Sequence, residues 1–93
     1  MDTIRIDSWL WTVRLFKTRS QATAACKGGK IKIGGQNAKA SRDVKVDDVI
    51  EIQLQSIKRK VQIIKLVKSR VAAKLVPELI KDLTPPEEYE KQE

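Results

Sequence analysis

Lys17-Thr18-Arg19-Ser20, with Arg14 just before and Thr23 and Lys27 after, gathers the residue types that hold phosphate. Two hydroxyls can donate to phosphate oxygens, and guanidinium and ammonium groups supply charge-assisted hydrogen bonds. The free amides of a helix that starts here would add further donors. The cations sit at the electrostatically wrong end of that helix, whose N-terminus already carries about half a positive charge. A local conflict of this kind marks function. Arg19, Thr23 and Lys27 recur at i, i+4 and i+8 along one helix edge, and Lys30 and Lys32 alternate outward from the segment that follows.

These residues belong to a longer pattern. Between Asp7 and Asp43, 35 consecutive residues contain no acid but carry Arg14, Lys17, Arg19, Lys27, Lys30, Lys32, Lys39 and Arg42, a local charge of +8 against +7 for the whole chain. Taken singly, each side chain reads as an ordinary solvated charge. Taken together they read as a surface shaped for a polyanion, because ordinary domain faces intersperse both signs.

Composition narrows the alternatives. Ninety-three residues make one small domain with a short appendage. One cysteine forms no internal disulfide, and the absence of histidine argues against a structural zinc site. No cofactor or metal is expected, nor a small-molecule substrate. No nucleophile, base and orienting group fall into a catalytic pattern, so the chain does not read as an enzyme. With no secretory signal and no apolar run of membrane-spanning length, it reads as a reduced, cytoplasmic protein.

The elements that would position the cations follow from periodicity. Ile6, Trp9, Leu10, Val13 and Phe16 share one face of a helix expected over Ile6 to Phe16, with Asp7 in its first turn. Thr18-Arg19-Ser20-Gln21 fits a capping box, Ala22, Ala25 and Cys26 face inward, and Gly28-Gly29 stops this second helix. Lys30 to Ile33, a Gly34-Gly35 turn and Gln36 to Lys39 predict a hairpin. Val44 to Val46, an Asp47-Asp48 turn, Val49 to Leu54 and Lys60 to Val67 predict further strands.

Charge divides the chain: residues 1–70 carry a net +10 and residues 71–93 a net −3. The expected organisation is a binding domain over 1–68 and an acidic, helical extension over 69–93. In that extension Leu75, Leu79, Ile80 and Leu83 form an apolar stripe, Val76-Pro77-Glu78 starts one helix, and Thr84-Pro85-Pro86-Glu87 starts another. The fold class is α+β, with two N-terminal helices packed on a small antiparallel sheet.

The ordered series Arg5-Ile6-Asp7, Trp9-Leu10-Trp11, Lys17-Thr18-Arg19-Ser20, Ala22, Gly28-Gly29-Lys30-Ile31-Lys32-Ile33 and Lys39-Ala40-Ser41-Arg42-Asp43-Val44-Lys45 resembles the RNA-binding domain named after ribosomal small-subunit protein S-four. The Trp-Leu-Trp and Lys-Thr-Arg-Ser pieces are most similar to the heat-shock protein 15 family. The resemblance covers about residues 4–54 and implies an αL-type fold that binds structured RNA. For the named family it implies a stress-response protein on the large ribosomal subunit, particularly subunits blocked by unfinished peptidyl-tRNA. Carried over position by position, it implies RNA contacts at Arg5, Lys17, Thr18, Arg19, Ser20, Lys27, Lys30, Lys32 and Arg42. Trp11, Arg14, Thr23 and Lys39 stand as further candidates. Ser8, Thr23-Ala24, Gly34, Ala40 and Asp47 depart from the family pattern, as does the acidic extension, where that family usually ends in a basic helix.

Some residues keep two readings. Trp9 on the main apolar face is expected in the core. Trp11 packs against the extension or strands, or offers a platform for an unpaired base. Cys26 reads as a small core hydrophobe, and Arg5 with Asp7 reads as a surface pair beside the basic face. Because the charge of Arg19 opposes the helix dipole, its removal is expected to leave stability unchanged or slightly higher. Two rival functions are a DNA-binding helix-turn-helix and a protein adaptor acting through the extension. Against the first, the second helix is short and alanine-rich, with few side chains able to read base edges.

Overall fold

The computed structural model describes residues 3–54 and 57–90. A two-residue strand, β1 (Ile4–Arg5), runs straight into helix α1 (Ile6–Thr12), and a turn leads to helix α2 (Arg19–Lys27). Strands β2 (Ile31–Ile33), β3 (Gln36–Asn37), β4 (Asp43–Val44), β5 (Val49–Gln53) and β6 (Lys58–Ile63) follow. The chain then forms a 3-10 turn (Ala73–Leu75), helix α3 (Val76–Leu79), strand β7 (Ile80–Asp82) and helix α4 (Pro86–Glu90). Five strands make one antiparallel sheet in the order β3-β2-β5-β6-β7, while β1 pairs with β4 alone. The architecture is α+β.

The core lies between the two helices and one sheet face. Ile6, Trp9, Leu10 and Val13 of the α1 segment meet Ile31, Ile50, Ile52, Val61 and Ile63, all of them buried. Trp9 is a core residue with no exposed surface. The buried face of α2 is Ala22, Ala25 and Cys26, and such small side chains let its backbone lie close to α1.

Local chemistry sets the ends of α2. Thr18 is the N-cap, its hydroxyl oxygen accepting from the Gln21 amide at 3.1 Å. At the other end Gly29 takes a left-handed φ of +73°, and the Lys30 amide returns to the Ala25 carbonyl at 3.0 Å. Gly34 and Gly35 both have positive φ, the geometry a two-residue hairpin turn requires between right-twisted strands.

Three expectations need correction. The first helix ends at Thr12, not Phe16: Arg14 turns left-handed (φ +61°), and the Leu15 and Phe16 amides fold back onto the Leu10 carbonyl. The β-branched pair Thr12-Val13 weakens the helix there, and the carbonyls left open at its end find partners on residues 70–71, far along the chain. Strand β6 spans Lys58–Ile63 because the Ile64 and Lys65 amides both turn to the Leu79 carbonyl, which takes the backbone out of the ladder.

The extension is the third. Its apolar residues do not form a helical stripe: Leu79 and Ile80 are buried, but the backbone changes from α3 to β7 between them, and Leu75 is 41% exposed. The free edge of β6 demands backbone partners. Residues Ile80 to Asp82 supply them in register with Ile63 to Val61, and Thr84 prolongs the contact by accepting from the Lys60 amide at 2.9 Å. The short helix after Pro85 does form, as α4.

Replacing Thr18 with Ala is expected to lower stability by about 1 kcal/mol, the usual cost of losing a helix cap. Urea denaturation checks this, and an unchanged midpoint would contradict the cap.

Candidate nucleic-acid interface

Asp7 organises the surface. It enters α1 with its carboxylate almost wholly buried, yet that carboxylate answers four donors. The Ser8 amide donates to Oδ1 at 2.7 Å, and the Thr23 hydroxyl to Oδ2 at 3.2 Å. The Arg5 guanidinium grips both oxygens, Nε to Oδ1 at 3.2 Å and Nη2 to Oδ2 at 3.0 Å. Arg19 Nη2 stands 3.7 Å from Oδ1. Arg5 and Arg19 are themselves half exposed. The expected surface pair is therefore a buried anchor joining β1, α1 and α2. Arg19 consequently sits beside an acid in the free protein, and its removal forfeits that pairing, contrary to the expectation from the helix dipole alone.

Two adjoining clefts open on this anchor. One, along the outer edge of α2, is lined by Arg19, Ser20, Thr23, Ala24 and Lys27, so the i, i+4, i+8 spacing does bring these side chains to one groove. The other, of about 650 Å³, shares Thr23 and Lys27 and reaches across Arg5 to Lys39 and Ser41. A shallower depression continues from Asn37, Lys39 and Ser41 to Arg42. The backbone holds this far wall in place: the Ile6 amide donates to the Arg42 carbonyl at 2.7 Å and the Asp7 amide to the Ala40 carbonyl at 3.3 Å. The result is a cationic path from Arg19 to Arg42.

Other expected residues lie elsewhere or have structural work. Lys30 and Lys32 line a depression with Glu51 and Lys58, Lys32 pairs with Glu51 across the strands, and Lys58 Nζ lies 3.9 Å from the same carboxylate. An acid thus sits among them. Lys17 and Thr18 are exposed in the turn before α2. Arg14 points to the C-terminal segment, its Nε donating to the Val71 carbonyl at 2.6 Å. Trp11 is half-buried with the Arg70 guanidinium over its ring, 5.5 Å from the centroid. One Arg70 nitrogen, Nη1, also donates to the carbonyls of Trp11, Phe16 and Lys17 at 3.2–3.3 Å. Among the described residues no group of three or more His, Cys, Asp or Glu could hold a metal ion, and no helix is long and apolar enough to cross a membrane.

The S4 domain model matches residues 4–50, which include both helices, the β2–β3 hairpin and the Asp7 anchor. The chain belongs to the S4 domain family. It is similar to the heat shock protein 15 homolog of Haemophilus influenzae, with 36% identity over 70 residues covering 75% of this chain and 53% of that protein. A Helicobacter pylori RQC P-site tRNA stabilizing factor is 43% identical over 49 residues, covering 53% of this chain and 58% of the relative. The heat shock protein 15 of Vibrio cholerae, solved as a trimer, superposes with a TM-score of 0.85 at 28% identity, covering 98% of this chain and 91% of that one. The matches span between 38% and 58% of the length of the curated relatives.

Sequence reasoning missed the central role of Asp7 in the S4 domain and the anchoring role of Arg70 beyond the matched residues. Asp7 had one usable signal, since it is the last acid before the acid-free stretch. Arg70 had none, because its partners lie more than fifty residues earlier. Asn37 and Ser41 were also missed as lining groups of the central cleft.

Cys26 lies under that cleft, 5% exposed. Burial, and secondarily the Asp7 carboxylate, push its thiol from 9.0 up to about 11. It is therefore a protonated core group at neutral pH. A folded pKa above the unfolded one means this contribution to stability is complete below about pH 9 and disappears as pH rises through about 11. The native protein at pH near 8 is expected to react with a thiol reagent only slowly, and denaturant to expose one fast thiol; rapid native labelling would contradict the buried placement.

Asp7→Ala removes the acceptor for a backbone amide, a hydroxyl and two guanidinium groups. Because both arginines can return to water, the expected loss is about 2–3 kcal/mol, below that of a fully buried ion pair. Urea denaturation measures it, and a loss within about 0.5 kcal/mol, the range of ordinary surface changes, would refute the anchor.

Proposed function

We propose that this S4 domain is an RNA-binding module that holds structured ribosomal RNA through phosphate and shape contacts. Its proposed site is the large ribosomal subunit, in rescue or quality control of subunits carrying stalled peptidyl-tRNA. The observation that carries the reading is the continuous cationic path of Arg19, Lys27, Arg5, Lys39 and Arg42, backed by one buried acid. Arg19 meets phosphate from the edge of α2, where Ser20 and the first-turn amides supply further donors. Lys17 and Thr18 extend the contact before the helix, and Lys30 and Lys32 flank it from the hairpin.

Family membership supports RNA as the polyanion, and the names of the relatives support the ribosomal setting. Helix α2 is short for a major-groove reader, nine residues whose exposed positions are Arg19, Ser20, Gln21, Ala24 and Lys27. A helix–loop RNA is expected to outcompete duplex DNA. Co-sedimentation with separated ribosomal subunits tests the setting, with the large subunit as the expected partner.

Binding is expected to weaken steeply with salt. For about five displaced counterions, the slope of log affinity against log salt is about −3.5 to −4.5. A slope near zero would exclude a nucleic-acid backbone. Arg19→Ala is expected to weaken RNA binding by about 1–3 kcal/mol, the worth of hydrogen bonds to a charged group. Its stability should fall by no more than about 1 kcal/mol, because the Asp7 pairing is half solvated. Arg19→Lys recovers part of the affinity, as a point charge does not reproduce a planar fork. Normal RNA binding by Arg19→Ala, measured by fluorescence anisotropy, would refute the assignment.

A further inference from the structure

We infer that the cleft between the C-terminal half of α2 and the loop from Asn37 to Ser41 receives one unpaired nucleobase of the bound RNA, with the Arg5 guanidinium as its stacking surface. The inference rests on the RNA-binding reading above and adds a base site to a surface otherwise described by phosphate contacts.

The cleft measures about 650 Å³, within the range of small-molecule sites, about 300–1,000 Å³. Ala38, Ala40, Cys26 and Gly29 contribute small walls. Ala38 and Cys26 are buried, so the interior presents little bulk and no charge of its own. Cations stand around it at Arg5, Lys27 and Lys39, a distribution complementary to a neutral base entering on a charged strand. The Asn37 amide and the Ser41 hydroxyl, both exposed to solvent, line the cleft without a hydrogen bond to another described residue. An amide with both donor and acceptor, beside a hydroxyl, is the equipment that reads the edge of an unpaired base. Gly29 contributes a wall without a side chain, as its left-handed φ of +73° favours.

Arg5 supplies the remaining element. Its bidentate grip on Asp7 holds the guanidinium plane fixed while half of the side chain stays exposed. A guanidinium whose charge is already answered by a carboxylate is a weak clamp for phosphate but keeps its flat faces, on which unpaired bases stack. The hydroxyl of Thr23, which borders the same cleft, directs its one hydrogen to Asp7 and the Arg19 carbonyl, so it has no donor left for a base.

The test compares homopolymeric oligoribonucleotides of A, C, G and U with an abasic sugar-phosphate oligomer of the same length and charge. At least one base-bearing oligomer is expected to bind about five- to tenfold more tightly than the abasic one, the lower end of the worth of one base stacked on a flat side chain. In ¹⁵N spectra, the amides of Gly29 and residues 38–41 should shift with the base-bearing oligomer alone. Arg5→Lys keeps the charge but loses the plane, and Asn37→Ala leaves Asp7 untouched; each is expected to shrink the difference to within about twofold. Equal affinity for abasic and base-bearing oligomers would overturn the base site while leaving the phosphate reading intact. Absence of binding by every oligomer at low salt would overturn the base site, and absence of binding by a helix–loop RNA in the same buffer would overturn the phosphate reading with it.

Discussion

A single carboxylate, taken out of water at the start of α1, has to be compensated, and the compensation dictates how the candidate surface is built. Asp7 is surrounded by an amide of its own helix, a hydroxyl from α2 and guanidinium groups from β1 and α2. Burying an unpaired charge would cost several kcal/mol, so these elements are held together by the need to satisfy it. The same acid lets Arg5 and Arg19 share one face without mutual repulsion dispersing them. An acid-free stretch of chain is thus stabilised by an acid that lies just outside it in sequence and beneath it in space.

The cations then divide into working and structural groups. Arg19, Lys27, Lys39 and Arg42 reach clefts that open to solvent, whereas Arg14 and Arg70 are committed to backbone carbonyls around the end of α1. Arg70 is the more consequential of the pair. By collecting three carbonyls and covering one face of Trp11, it holds the turn in which Lys17 and Thr18 are presented. The segment following β6 therefore shapes the surface although none of its described charges lines the clefts. The five-stranded sheet shares the same logic, since β7 satisfies an edge that β6 would otherwise leave open.

Short-range chemistry explains what was legible beforehand. Thr18 and Gln21 at a helix start, Gly28-Gly29 at its end and Gly34-Gly35 in a hairpin each act within a few residues, so their types and spacing suffice. The inward faces of the helices and of β2, β5 and β6 follow equally from periodicity, because burial selects apolar residues at the repeat of the element itself. The basic character of the site was readable from net charge alone.

What the tertiary structure alone decided involves partners far apart in the chain. The helix that periodicity extends to Phe16 stops at Thr12, where residues 70–71 take up the open carbonyls. Part of an amphipathic pattern in the extension, Ile80 to Asp82, becomes a strand because a neighbouring edge needs hydrogen bonds, a demand no local pattern encodes. Charge counts identified the cations, but only the folded chain sorts them, placing Lys30 and Lys32 beside Glu51 and Arg5 over Asp7. Sequence determined which residues could turn inward and which turns could form; packing decided where backbone groups and charges found their partners, because that satisfaction is a property of distances in space.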